Sequence, residues 1–382
     1  MKKVKLVSWV AGGLIVSAAG ILISSYLDIR EDENETLFAG RVPASTLQYA
    51  SAQETIPDGE SEAIDQIRAS IEEKITTRYP PGVRPARRDA HAKHHGCVQA
   101  TFNVSNELLP PELRVGVFSK NQSFPAWIRF SNGNGKPQAD RKLDARGMAI
   151  KLMNVPGDKL LEEERHEQTQ DFVMIDHPVF FAQDALSYVT LVAGSPILFF
   201  AKHLHNAFGM IGLVFRSVPN PLYLRYWSET PYLLGSTAVK YSAAPCSMEG
   251  LKKVDHSHPN YLREAMAANL KDSEACFQFM VQLRTDADRM PVEDPTIRWS
   301  EKRSPFIPVA KIKIPIQVFD SAEQMDFCEN LSFTPWHALP EHRPLGGVNR
   351  ARKVVYTAIS KLRHHLNDTE RREPVPAVVP RN

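Results

Sequence analysis

From Ala310 the chain reads Ala310-Lys-Ile312-Lys-Ile314-Pro-Ile316-Gln-Val318, with an apolar side chain at every second position. A period of two sends alternate side chains to opposite faces of an extended strand, so such a run demands a sheet with one buried face. Phe277, Phe279, Val281 and Leu283 repeat the pattern. Shorter β-like runs occupy 97–104, 114–118, 126–130 and 148–152. Their spacing and the turns between them predict an antiparallel sheet, closed as a barrel.

Helices accompany the strands. Over 60–79, Ile64, Ile67, Ile71 and Ile75 share one stripe while Asp65, Arg68, Glu72 and Glu73 lie off it, which predicts an amphipathic helix. Tyr79-Pro80-Pro81-Gly82 ends it. Residues 184–214 form an apolar stretch, predicted helical in parts and broken at Pro196. Lys202, His203 and His205 near its middle argue against a membrane span and for a buried helix pair. A last helix is expected over 348–366. The class is therefore α+β, an antiparallel β-barrel with surrounding helices.

The N-terminus carries a different signal. Lys2, Lys3 and Lys5 precede an uncharged run over 6–27, and Asp28, Glu31, Asp32, Glu33 and Glu35 follow it. About 20 apolar residues cross a bilayer, whereas the apolar part of a secretory signal spans about 7–15. The run predicts an uncleaved signal-anchor, residues 1–27, oriented with its N-terminus in the cytoplasm and the body on the periplasmic or extracytoplasmic side. Cleavage would make the body secreted or periplasmic instead. Residues 28–58 read as a linker, 59–370 as the folded domain and 371–382 as a Pro-rich tail.

Composition narrows the function. Lys plus Arg total 46 against 44 Asp plus Glu, a balance that argues against nucleic-acid binding. Four cysteines, with no CxxC pair, exclude a disulfide scaffold and a zinc ribbon. They read as isolated buried thiols, with one long-range disulfide open to an exported protein.

Two clusters could carry chemistry. Arg88-Asp-Ala-His91-Ala-Lys-His94-His95-Gly96-Cys97 holds three histidines, yet has no metal-ligand spacing and alone reads as a polar loop. On the last helix Arg352 and Tyr356 are four apart and share a face, with Arg363 two turns beyond Tyr356. A guanidinium against a phenol favours the phenolate, the form that binds ferric iron.

Together with four further segments, these clusters resemble the haem catalases. Arg88 with His91-Ala92-Lys93 resembles the distal segment of that family, and Arg129-Phe130-Ser131 the second distal strand. Asp144-Ala-Arg146-Gly147-Met-Ala-Ile-Lys151 resembles the D-x-R-G-x-A-x-K strand. Gln170-Asp171-Phe172 and Pro178-Val-Phe180-Phe181 resemble the stretch over the haem. Leu331-Ser-Phe333-Thr-Pro335-Trp336, then Arg352-x-x-x-Tyr356, resemble the proximal end. The order is kept over 88–363, and the chain is similar to the short catalase-like haem proteins of bacteria, which lack the C-terminal domain of full catalases.

The resemblance implies a b-type haem in a catalase-like domain over 59–370. It casts Tyr356 as proximal iron ligand, Arg352 as the group that keeps it phenolate, and His91 as distal acid/base oriented by Ser131. Arg88, Arg129 and Arg363 match propionate partners, and Phe180 and Phe181 would dry the channel. No asparagine precedes Pro178. Asp176 is the nearest polar residue, and a carboxylate there can accept but not donate a hydrogen bond to peroxide. The expected activity is a haem peroxidase or catalase acting on hydrogen peroxide or organic hydroperoxides, with an unidentified electron donor. A haem-holding protein without turnover and a fatty-acid hydroperoxide rearranging enzyme are the alternatives. The partners expected are peroxide and, through the N-terminal helix, a membrane; homo-oligomerisation stays open.

Overall fold

The structure, a computed structural model, describes residues 53–195, 199, 218–250 and 255–374. The expected membrane span at 6–27 and nearly all of 196–217 lie outside the described residues. Among the described residues, no helix is long and apolar enough to cross a membrane.

Nine strands form one antiparallel sheet: β1 (His94–Val104), β2 (Ser123–Asn132), β3 (Arg146–Met153), β4 (Thr169–Ile175), β5 (Tyr226–Trp227), β6 (Tyr232–Leu234), β7 (Thr237–Pro245), β8 (Ala275–Leu283) and β9 (Ile307–Ile314). Their order is β5-β4-β3-β2-β1-β9-β8-β7-β6, and β5 also pairs with β7. That second pairing closes a ring of eight strands, with β6 attached to β7 outside it.

Alternation decides what fills the barrel. Phe102, Phe172, Phe279 and Tyr241 point inward, with Phe172–Phe279 centroids 4.9 Å and Phe102–Phe279 centroids 5.1 Å apart. Burying each such ring contributes about 1.5–3 kcal/mol. The barrel is thus a packed core, and a ligand must lie outside it. On β2 and β3, Phe130, Met148 and Ile150 face inward. The intervening Arg129, Ser131, Gly147 and Ala149 face the other way.

Five helices are described: α1 (Glu60–Arg78), α2 (Ala185–Val192), α3 (Tyr261–Leu270), α4 (Ala322–Asn330) and α5 (Gly347–Asn367). The isoleucine stripe of α1 packs on Ala351, Val355 and Ile359 of α5 and Ala185 of α2. Those three helices stand against the outer face of β2–β4 and leave a pocket between helices and barrel.

Several expectations change. Residues 114–118 are not a strand. Pro111–Leu113 and Gly116–Phe118 form tight 3-10 turns, because the chain crosses the barrel end there and Val117 N donates to His342 Nε2 at 3.0 Å. The alternation that began at Ala310 continues to Val318, but β9 stops at Ile314, where Pro315 removes a ladder donor. Ile316 and Val318 are consequently exposed. The histidine cluster is not one polar loop, since β1 begins at His94 and His94 and His95 are buried. The four cysteines form two disulfides, Cys97–Cys328 and Cys246–Cys276, with Cα separations of 5.3 and 5.4 Å. Cys97 on β1 meets Cys328 where α4 packs on that strand, and Cys246 meets Cys276 beside the β7–β8 pairing. The tail begins later than 371: Glu373 lies 2.6 Å from the buried Lys151 Nζ, and Arg371 pairs with Glu164.

Candidate active site

The pocket comprises a cavity of about 400 Å³ and an adjoining one of about 100 Å³, and His91 and Tyr356 line both. The larger is walled by Val173, Met174, Ile175, Phe180, Phe181, Tyr188, Glu229, Arg352 and Val355. The smaller ends among Arg88, Arg129 and Arg363, with Ser131 and Gly147 on its barrel side.

His91 precedes β1 with a backbone φ of 56°, a left-handed conformation that costs a non-glycine residue roughly 1–2 kcal/mol. His91 N donates to Gly133 O at 2.8 Å, and Arg129 Nη2 donates to His91 O at 2.8 Å. Nδ1 lies 3.1 Å from Ser131 Oγ. Burial first, then the positive charges of Arg129, Arg352 and Arg88, push its pKa down to about 3. The imidazole is therefore neutral at ordinary pH, with one nitrogen able to accept a proton.

Tyr356 sits on α5 across the pocket. Its Oη accepts from Arg352 Nε and Nη2, both at 3.3 Å. The guanidinium also lies 5.2 Å from the ring centroid. Arg352 Nη1 donates to Thr230 Oγ1 and Asn349 Oδ1, both at 3.3 Å. Burial opposes its charge, but Tyr356 and Tyr232 outweigh that and hold it firmly protonated. Phe180 and Phe181 stack with centroids 4.1 Å apart, and Tyr188 stands edge-on to both.

The structure thus gathers His91, Ser131, Arg88, Arg129, Phe180, Phe181, Arg352, Tyr356 and Arg363 at one pocket. Asp176, the remaining candidate, is not brought there. It lines neither cavity, and its Oδ1 accepts from Arg146 N at 2.7 Å. The side chain that faces the cavity from the end of β4 is Ile175. One step along a strand reverses the face, so Asp176 bonds to the backbone of β3 while Ile175 faces the cavity.

Three pocket groups, and a fourth group behind the pocket, carried no sequence signal. Asp89 and Tyr188 line the larger cavity, where burial raises both pKa values. Glu229, also at φ 59°, is pushed up to about 8 by burial, against the pull of Arg352 and Lys240. Glu329 on α4 stands behind the arginines. None belongs to a recognisable spacing.

The pocket fits a haem. Three arginines converge on one end, and the buried Nε of Arg129 has no hydrogen-bond partner among the described residues. Buried cations in excess call for anionic groups such as two propionates. The opposite end is apolar and aromatic, as a porphyrin edge requires. Tyr356 offers an oxygen that accepts from Arg352 on one side, and His91 a neutral imidazole on the other.

No protein-family model matches the chain. A catalase-related peroxidase of Mycolicibacterium paratuberculosis (strain ATCC BAA-968 / K-10) is 26% identical over 345 residues, covering 82% of this chain and 97% of that protein. Catalase A from Saccharomyces cerevisiae superposes with a TM-score of 0.57 at 18% identity, over 84% of this chain and 70% of that one. A fungal catalase gives 0.55 at 18%, over 83% and 65%, and a bacterial catalase 0.54 at 16%, over 87% and 68%. The chain is thus similar in sequence to a catalase-related peroxidase and shares the fold of the haem catalases. It spans about two-thirds of the length of the solved catalases it resembles. Catalases and catalase-related peroxidases are haem-containing enzymes, and these similarities support an oxidoreductase of that type.

Proposed function

We propose that the protein consumes peroxide at a haem b held between His91 and Tyr356, with peroxidase turnover favoured over dismutation. The observation that carries this reading is that a neutral, hydroxyl-oriented His91 and an arginine-backed Tyr356 line the same cavity. The bound haem would supply the iron redox chemistry that accepts oxygen from a peroxide.

The chain's own groups do the rest. Tyr356 Oη would bind iron, and two N–H groups of Arg352 stabilise negative charge on that oxygen. Ser131 fixes the His91 ring, so that its other nitrogen can take a proton from the near oxygen of a peroxide and return it to the departing one. Such a positioned acid/base contributes about 10²–10⁴-fold. Phe180 and Phe181 exclude water. Ile175 offers no hydrogen bond to a second peroxide, which is why dismutation is disfavoured. Organic hydroperoxides and hydrogen peroxide both suit this chemistry, and an external donor would complete the cycle. Rearrangement of a lipid hydroperoxide would need the same two residues and no donor.

We place the domain outside the cytoplasm, tethered by 6–27. Two disulfides support export, since such bonds persist in oxidising compartments. Protease added to spheroplasts should digest the body, and full protection would refute the topology.

Purified protein should show the visible spectrum of a tyrosine-ligated ferric haem. It should consume peroxide faster with an organic donor than without. Haem binding with no consumption under either condition would instead make it a haem-holding protein.

A further inference from the structure

Glu329 lies in the last turn of α4 with only 5% of its surface exposed. Its Oε1 accepts from Arg88 Nη1 at 3.2 Å and Arg363 Nη1 at 3.0 Å. Its Oε2 lies 3.4 Å from His94 Nε2 and 3.9 Å from Arg87 Nη1. The main-chain carbonyl of the same residue accepts from Arg88 and Arg363 as well, at 3.3 and 3.0 Å. One residue therefore fixes the direction of two of the three pocket arginines. It does so from behind, because it lines neither cavity.

The charge balance gives this arrangement its meaning. Arg87, Arg88, Arg129 and Arg363 crowd together, and Glu329 is the carboxylate paired with three of them; Asp89 acts on Arg88 and Arg363 from further off. Mutual repulsion and burial drive Arg363 down to about 9, burial being the larger cause. Without a ligand, positive charge is left over at the end of the pocket, where desolvated like charges repel strongly.

Glu329 is held in place covalently. Cys328, its neighbour, is bonded to Cys97 on β1, and Cys97 lies directly across the β1–β2 ladder from Arg129. Gln324 Nε2 of the same helix donates to Cys97 O at 2.8 Å, and Phe327 packs on Trp127 with centroids 4.8 Å apart. The bridge thus ties the counter-charge to the strand pair that carries Arg129.

We propose that Glu329 is a built-in counter-ion that holds the anion-binding arginines in place before haem arrives, and that the Cys97–Cys328 disulfide keeps it there. This rests on the reading of the pocket as a haem site. Glu329 is a positioning residue. Propionates take over part of its neutralising role once haem binds, so its removal should cost the empty protein more than the loaded one.

The test compares thermal unfolding of haem-free and haem-loaded full-length protein, with uptake followed by absorbance. Glu329→Gln should lower the midpoint of the haem-free form by about 5 °C or more. The loaded form should fall by less than half as much. Glu329→Asp should recover part of the loss. In a Cys97→Ser/Cys328→Ser background, Glu329→Gln should have a smaller effect, because the carboxylate is no longer held. Equal losses in both forms, or none, would overturn the inference. Should Glu329→Gln fold only when haem is supplied, that is the expected effect at its limit. Should it fold under neither condition, the haem-free against loaded comparison on Glu329→Asp decides in the same way. Wild-type protein that takes up no haem overturns the haem reading itself, a result visible before any variant is made.

Discussion

Gly147 stands so close to His91 that a Cβ built on it would meet the ring Nδ1 at 2.5 Å and Ser131 Oγ at 2.9 Å. The glycine of the Asp144-x-Arg146-Gly147 strand thus leaves the space into which the His91 ring fits. Gly147→Ala should push the ring from Ser131 and slow the reaction with peroxide by about a hundredfold, with haem content little changed. Ser131→Ala should slow it by less. Stopped-flow rates at equal haem occupancy check both, and an unaffected rate in Gly147→Ala would remove His91 from the mechanism.

Tyr356→Phe deletes the oxygen that faces the pocket from α5 and should abolish or greatly weaken haem binding. Arg352→Ala removes both hydrogen bonds to that oxygen and should weaken haem binding by less than Tyr356→Phe does. Haem titrations followed in the Soret region read both, and an unaltered ferric spectrum in Tyr356→Phe would refute the ligand assignment.

At the end of β4, Ile175 and Asp176 exchange the parts their chemistry suggests. Ile175→Asn should place an amide donor in the cavity and raise oxygen release relative to donor oxidation. Asp176→Asn should leave that ratio unchanged and cost about 1 kcal/mol, because an amide oxygen can still accept from Arg146 N. If Asp176→Asn moves the ratio instead, the pocket boundary drawn here is wrong.

His342 lies in the barrel interior, where burial pushes its pKa down to about 3. An unfolded histidine titrates near 6.5, so below that pH the unfolded chain binds a proton that the folded chain refuses. Stability is fully present above about 6.5 and is lost progressively as pH falls toward 3. His91 and His94, pushed to about 3 and about 4 mainly by burial, add to the same trend. His342→Gln should flatten the dependence of the melting temperature on pH between 7 and 4.5. An unchanged slope would mean that the ring titrates alike in the folded and unfolded chains.

Both disulfides should matter to stability. Cys97→Ser or reduction should destabilise the domain by about 2–5 kcal/mol, as measured by denaturant unfolding with and without a thiol reductant.

Much of this protein is written locally. Period-two runs at 277–283 and 310–314 specify strands, and the isoleucine stripe over 60–78 specifies the helix that backs α5. Short-range spacing also places Arg352 beside Tyr356, since residues four apart on a helix must share a face. The order of motifs over 88–363 marks His91, Ser131 and the pocket arginines. Tertiary structure alone decided the rest. Whether Ile175 or Asp176 meets the ligand depends on strand register, which one residue of slip reverses. Cys97 finds Cys328 across 231 residues because β1 and α4 pack together, and no local pattern encodes that meeting. Glu329 gains its role from arginines brought by β2, α5 and the segment before β1, so its charge has meaning only once those elements converge on a space too dry to leave it unpaired.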